Sequence, residues 1–275
     1  MVVRVIVVKI ADMYSIVLGE KRVQRKKLWN LFANQRQIYS YLARNNGLSV
    51  STIQRRLDQI TDYDDLISQG EWITDIPPQS TVLGIDATFF GSVGIIIGRS
   101  SSLKKTLYFK VILSETIAEY ENIINKLTER GWIITALVSD GKGLRHNFGI
   151  PVQMCHFHQQ AIIRRYLTNN PRLIPNQELK AISRLLRYVD KQTFKDLLGT
   201  WYEVYGGFIH EKKFNHNKNK YEYSHKRTRS AYYSLLNNTD YLFVHEQYSH
   251  LNIPKTNNSC EGTFSALKDK VNIHR

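Results

Sequence analysis

The sequence predicts an α/β protein: a mixed-sheet core carrying a helical insertion, preceded by a small all-α domain. Three observations predict it. From residue 81 to 154, short apolar runs rich in β-branched residues alternate with a helical period, the arrangement that builds a sheet with buried strands. Residues 37–60 instead carry two short helical periods on either side of a glycine. Between these regions the charge changes sign and Pro77-Pro78 breaks the chain, which places a domain boundary near 76–80.

A chain of 275 residues has room for one large domain and a small one. Lys and Arg number 38 against 24 Asp and Glu, a formal charge of +14, so the expected partner is a polyanion, nucleic acid before any other. Two cysteines, Cys155 and Cys260, build no disulfide framework, which fits a reducing cytoplasm. The first eighteen residues are apolar, but Arg4, Lys9 and Asp12 interrupt them and no small-residue cleavage site follows. Neither a secretion signal nor a membrane span is expected. Residues 1–20 are a leader with no assigned role, strand-like over 2–10.

The all-α domain is expected over residues 21–76. It opens on the basic cluster Lys21, Arg22, Arg25, Lys26 and Lys27. Ile38, Leu42 and Ala43 fall at helical spacing, Gly47 is a helix-ending turn residue, and Ser49 is a good N-cap for a second helix from Val50 to about Ile60. Ile53, Leu57 and Ile60 form the buried face of that helix. Ser51, Thr52, Gln54, Arg55 and Arg56 are left outward or at its edge. An ordinary αα-hairpin and a DNA-binding helix-turn-helix both fit this pattern. In the second case Ser51, Thr52 and Arg55 meet base edges in the major groove while Arg56 and the upstream basic residues contact phosphate. The basic flank and the global charge favour DNA. Residues 61–80 add Asp62, Asp64, Asp65 and Glu71, read as solvated surface before the linker.

The core then follows in order. Strands are expected at Thr81–Asp86, Val93–Gly98 and Thr106–Leu113, separated by Gly91 and Ser100-Ser101-Ser102. A helix is expected over Glu115–Arg130, with Ile117, Tyr120, Ile123, Ile124 and Leu127 at helical spacing and Gly131 as its stop. Ile133–Val138 is a further buried strand and Ile150–Met154 the last, giving a mixed β,β,β,α,β,α,β order. In sheets of this kind active sites gather at the carboxyl ends of strands.

Two acids stand at such ends. Asp86 closes the first strand, an expensive burial for a carboxylate without a cation or a metal, and Asp140 follows the Ile133–Val138 run. Alone, Asp86 reads as a turn-forming residue. Paired acids of this type hold two divalent ions ~4 Å apart in phosphodiester chemistry. Oxygen ligands suit Mg²⁺ or Mn²⁺, and a third acid is available in Glu261, at the start of a helix with Phe264 and Leu267 on its apolar side.

Asp86 in GIDATFFG, Asp140 in VSDGKGL, CHFH at 155–158 and Glu261 in NNSCEGTFSALK, in this order, resemble the acidic triad and C-x-x-H signature of mutator-type and related bacterial insertion-sequence transposases. The resemblance spans roughly residues 81–273, and the preceding helix-turn-helix is similar to the DNA-binding region of the same group. It implies an RNase H-like mixed-sheet core over 81–275, with a helical insertion at about 169–253. It implies Asp86, Asp140 and Glu261 as catalytic residues holding two Mg²⁺ or Mn²⁺ ions. Water and then a DNA 3′-hydroxyl would attack phosphorus, giving strand cleavage and strand transfer. The implied partner is double-stranded DNA, both element ends and target, with a homodimer or larger assembly on DNA. The implied setting is the bacterial cytoplasm, at the nucleoid and away from any membrane. The chain departs from the group in lacking cysteines for an N-terminal zinc ribbon, and in ending at Arg275, inside the helix expected to carry Glu261.

Cys155 and His158 are half of a zinc ligand set, and no second pair stands at suitable spacing, so a structural zinc is not expected. The resemblance places this pair beside the active site in an organising or DNA-contacting role. A buried Cys and a hydrogen-bonded His at a strand-to-helix corner is the other reading, and His156 can equally be the residue facing inward.

Inside the insertion, Leu179, Ile182, Leu185, Leu186 and Val189 form one helical stripe. Phe194, Leu197, Leu198, Trp201, Val204 and Tyr205 form another, and both read as core. Stacking of Trp201 on a flipped base is the lesser alternative. Residues 210–229 differ. Lys212, Lys213, Lys218, Lys220, Lys226, Arg227 and Arg229 face only Glu211 and Glu222, with Phe214, Tyr221, Tyr223 and three histidines interleaved. Lys212, Lys213, Lys226, Arg227 and Arg229 are the expected phosphate contacts, on a segment whose low apolar content over 215–220 predicts a mobile loop.

Two functions from different classes follow. One is a divalent-metal-dependent transposase. The other is a truncated, catalytically inactive remnant that binds DNA and acts as a repressor. A cellular RNase H-like nuclease or resolvase is a weaker third, opposed by the insertion before Glu261 and by the helix-turn-helix.

Overall fold

The computed structural model describes residues 28, 31, 37–58, 71–72, 76–90, 93–141, 143 and 146–272. The expectations for residues 1–20, for the basic cluster Lys21 to Lys27, for Ile60 and for Asp62, Asp64 and Asp65 lie outside the described residues. The chain divides into two units. The first is Met1–Gln79, Gly84–Trp132 and Asn258–Arg275; the second is Ser80–Leu83 and Ile133–Asn257.

In the first unit, helix α1 (Tyr39–Asn46) ends at Gly47, whose φ of 62° is a left-handed conformation open to glycine at little cost. Its amide reaches back to the Ala43 and Arg44 carbonyls, and the Leu48 N–H donates to Ala43 O at 2.9 Å. Helix α2 (Val50–Asp58) starts under the Ser49 hydroxyl, which accepts the Thr52 N–H at 3.1 Å. Turn residue and cap are therefore where the sequence puts them. Four strands follow: β1 (Glu71–Trp72), β2 (Ser80–Phe90, of which Ser80–Leu83 belong to the second unit), β3 (Val93–Ser100) and β4 (Lys105–Ile112). Their order is β1-β4-β3-β2, with β4 antiparallel to both β1 and β3. Helix α3 (Ile117–Glu129) is capped by Thr116 and tied to β4 by Lys110–Glu119 at 2.7 Å. Tyr120, Ile123 and Leu127 form its buried face, while Ile117 is exposed.

One core joins these elements. Leu42 and Ala43 of α1, Ile53 and Leu57 of α2, and Ile95, Ile97 and Phe109 of the sheet pack with Cys260, Phe264 and Leu267 of helix α9 (Asn258–Asn272). The 260, 264, 267 spacing is one face of a helix, which is why α9 lies against this core. The apolar faces of α1 and α2 are consumed by the same packing, leaving Ser51, Gln54, Arg55 and Arg56 exposed and Thr52 half-buried.

In the second unit, β5 (Ile133–Ser139) and β6 (Val152–Met154) pair in parallel and continue the order β2-β5-β6. The helix expected between them is not formed by the described residues. The described residues between 140 and 151 take turn and irregular conformations instead, with Gly141, Gly143 and Gly149 at φ of 123°, 73° and 71°. Glycines in those conformations end a helix rather than extend one. The described order is thus β,β,β,α,β,β after the short β1.

Helices α4 (His156–Leu167), α5 (Ile174–Leu185), α6 (Lys191–His210) and α7 (Lys226–Leu242) then pack around Ile163, Leu179, Phe194, Leu198, Trp201, Leu235 and Phe243. Leu185 and Val204 of the two sequence stripes are exposed. Residues 212–223, expected to include a mobile loop, form a hairpin of β7 (Lys212–Asn215) and β8 (Lys220–Tyr223). The Asn215 side chain caps its turn by accepting the Lys218 N–H, and Asn219 takes the left-handed position that asparagine tolerates. A short helix, α8 (Val244–Gln247), follows α7. No described helix is long and apolar enough to cross a membrane.

Candidate functional site

Asp86 lies inside β2, not at its end, because the strand continues to Phe90. Side chains alternate along a strand, so Asp86 shares its face with Val82, Gly84 and Thr88. Only 6% of it is exposed, between fully buried Ile85 and half-buried Ala87, whose N–H donates to Asp86 Oδ1 at 2.9 Å. A carboxylate withdrawn from water this far is costly unless other groups or ions meet its oxygens.

Asp140 follows β5 directly, half-buried where the chain turns through Gly141. Glu261 is half-buried in the first turn of α9, where its charge complements the helix N-terminus. Asp86 and Glu261 belong to the first unit and Asp140 to the second. Carboxylate oxygens are the donor type that Mg²⁺ and Mn²⁺ prefer. Among the described residues, no group of three or more His, Cys, Asp or Glu side chains is arranged to hold a metal ion.

The C-x-x-H segment is built around Cys155 and His156. Cys155 caps α4, is fully buried, and its Sγ accepts the Asn257 N–H at 3.2 Å. The His156 N–H donates to Lys255 O at 2.9 Å, so residues 255–257 are strapped to the start of α4. Of the two histidines, His156 is the one that faces inward, with no exposed surface and Nε2 at 2.7 Å from Leu242 O; His158 is half-buried. A carbonyl partner fixes the proton on Nε2, and His156 Nδ1 is buried with no hydrogen-bond partner among the described residues. The sequence alone left open which histidine this would be.

Burial holds the His156 imidazole down at about 4; its bond to Leu242 O opposes this, and His245, Lys255 and Arg187 add to it. In the unfolded chain the ring takes up a proton near pH 6.5, and in the fold only near 4. The unfolded state therefore binds the extra proton throughout that window, so stability is complete above 6.5 and falls as the pH drops towards 4. Urea unfolding is expected to show a loss of about 3 kcal/mol from this ring between those limits. His156→Gln should flatten that slope, and an unchanged slope would remove His156 as its source.

Lys212 and Lys213 are exposed on the hairpin, and Lys226 and Arg227 on the first turn of α7. Lys226 pairs with Glu222 at 2.8 Å, and Lys218 reaches the same carboxylate at 3.3 Å. Hydrogen bonds from Lys226, then Asn215 and Lys218, hold the Glu222 carboxyl at about 2. Arg227 donates to Arg165 O. Arg229 is half-buried, with its guanidinium 4.2 Å from the Tyr223 ring and 4.5 Å from that of Tyr233, so it props the hairpin against α7. Trp201 is core: it is 3% exposed and stacked on Tyr232, and its indole N–H donates to Pro175 O at 3.0 Å.

No family model matches the chain. No curated protein matches it. Among solved structures, the Drosophila P element transposase strand transfer complex is similar at a TM-score of 0.24 and 13% identity, over 96% of this chain and 80% of that chain. A TM-score of 0.24 is too low to identify a shared fold, and it assigns no function.

Proposed function

We propose that the chain is a DNA transposase of the insertion-sequence class, built on an RNase H-like core and dependent on divalent metal. The observation that carries this reading is Asp86, a carboxylate 6% exposed in the interior of a sheet strand. Asp140 directly after β5 and Glu261 in the first turn of α9 supply the two further acids in the order the chemistry uses.

Asp86, Asp140 and Glu261 would hold the metal through oxygen atoms alone, and the reading requires all three to converge on it when DNA is bound. Two ions held there would supply Lewis-acid activation of an attacking and a leaving oxygen, so no side-chain nucleophile would be needed. The chain's own residues bind and orient. The strap of residues 255–257 onto Cys155 and His156 steadies the segment leading into α9. The exposed face of α2 presents Ser51, Arg55 and Arg56, with Thr52 at its edge, to the major groove of an element end. Assembly on two ends makes a homodimer or larger.

Labelled duplexes carrying the DNA that flanks its own gene, incubated with the purified chain and Mg²⁺ or Mn²⁺, test the reading. Cleavage at the element boundary and joining to a second duplex are expected. Tight binding without either product would establish the DNA-binding remnant instead. For α2, Arg55→Ala should weaken binding to the element end by about 1–3 kcal/mol, the value of a base contact. Unchanged affinity would return residues 37–60 to a plain αα-hairpin.

A further inference from the structure

A cleft of about 610 Å³ lies wholly within the second unit, between the α4–α5 connection, the β-hairpin and the start of α7. Its volume is in the range of small-ligand sites. Its chemistry is cationic. Arg172 and Lys213 line it with no ion pair or side-chain hydrogen bond to any described residue, and Arg227 meets only a backbone carbonyl. The one carboxylate in the lining, Glu222, is already held by Lys226 and Lys218. Ser224 adds a buried hydroxyl that has no hydrogen-bond partner among the described residues. The start of α7, a 17-residue helix with no acid in its first turn, opens on the same space.

The rim opposite is preformed. Thr168 has φ 68° and ψ 175°, a region almost reserved to glycine and costly for a β-branched residue. It is pinned there by Lys180, whose ammonium donates to the Thr168 and Asn169 carbonyls. Across the floor, Thr228 Oγ1 donates to Asn176 Oδ1 at 2.7 Å, tying α7 to α5. Cations without a carboxylate partner and an unpartnered hydroxyl, beside this fastened rim, are the chemistry that an anion would meet.

We propose that this cleft seats one nucleotide of a single DNA strand, its phosphate on Arg172, Lys213, Arg227 and Ser224 and its base against the half-exposed ring of Tyr166. The inference rests on the DNA-binding reading above and gives it a strand-specific site. A polymer is favoured over a free nucleotide because the hairpin wall continues outward through exposed Lys212, Lys220 and Tyr221, a basic and aromatic surface longer than one nucleotide.

Fluorescence anisotropy with a short labelled single strand and a labelled duplex, on the full chain, tests it. Arg172→Gln combined with Lys213→Gln should weaken single-strand binding about tenfold near 0.1 M salt. It should also reduce the salt dependence by about 0.7, the value for the one phosphate no longer neutralised. Both side chains are exposed, so the melting temperature should not move. Ser224→Ala should weaken the strand in the same direction. Parent-like strand affinity in both variants would overturn the cleft while leaving duplex binding, and the transposase reading, intact. Displacement of the strand by an equal phosphate concentration of adenosine monophosphate or inorganic phosphate would overturn the strand in favour of a free anion. A parent chain that binds neither strand nor duplex would overturn both readings.

Discussion

Asp140→Asn is expected to lower metal-dependent DNA cleavage by at least about a thousandfold, a loss of about 4 kcal/mol of transition-state stabilisation. The substitution keeps shape and removes the negative charge and one of the two ligand oxygens, so it acts on metal binding and leaves packing alone. Asp140 is half-buried at a turn after β5, outside the clusters that hold either unit together. Folding should therefore be unaffected. DNA affinity should stay within about twofold, because the proposed contacts lie on α2 and around the hairpin and those residues are untouched. Cleavage that proceeds at the parent rate would remove Asp140 from the site.

Trp201→Ala is expected to destabilise the chain by about 3–5 kcal/mol, read from the urea midpoint with the slope unchanged. The side chain is 3% exposed, stacks on Tyr232 at 5.2 Å between ring centres and touches Tyr205 at 5.3 Å. Its loss opens a cavity in the middle of the helical cluster and leaves Pro175 O without the indole donor. Tyr188→Ala, at a residue 80% exposed, is the control and should shift stability by less than about 0.5 kcal/mol. A Trp201 variant as stable as its parent but weaker on DNA would mean that the indole meets a base, contrary to the packing.

What could be read from the sequence was local. Gly47 and Ser49 have one role each in backbone geometry, and both perform it. Phe264 and Leu267 mark the buried face of α9 by spacing alone, and Cys260, one turn earlier, completes it. The period of two failed for β2, where burial on both faces hides the strand's end and let Asp86 pass for a terminal residue. Between β5 and β6 the apolar ends were legible, but the connection is set by three glycines whose conformations no apolar pattern reports. Residues 215–220 looked mobile because they lack apolar side chains; they are ordered by Asn215 and Glu222, through polar bonds that periodicity does not register.

The candidate site divides the same way. Asp86 and Asp140 stand out in the sequence as acids after apolar runs and Glu261 as an acid at a helix start, a signal carried by the three together and not by any one of them. The sequence left open which histidine faces inward, and the bond from Asn257 to Cys155 and the cleft shared by Arg172, Lys213 and Ser224 were not legible in it. Each depends on segments far apart in sequence.

Manganese binding tests the central claim most directly. Titrating the DNA-bound chain with Mn²⁺ and following the free ion by electron paramagnetic resonance should show two ions taken up per chain. Asp86→Asn, Asp140→Asn and Glu261→Gln should each sharply weaken that uptake while DNA affinity is retained. Uptake by all three variants equal to that of the parent would contradict a shared metal site and leave a DNA-binding protein without the transposase chemistry.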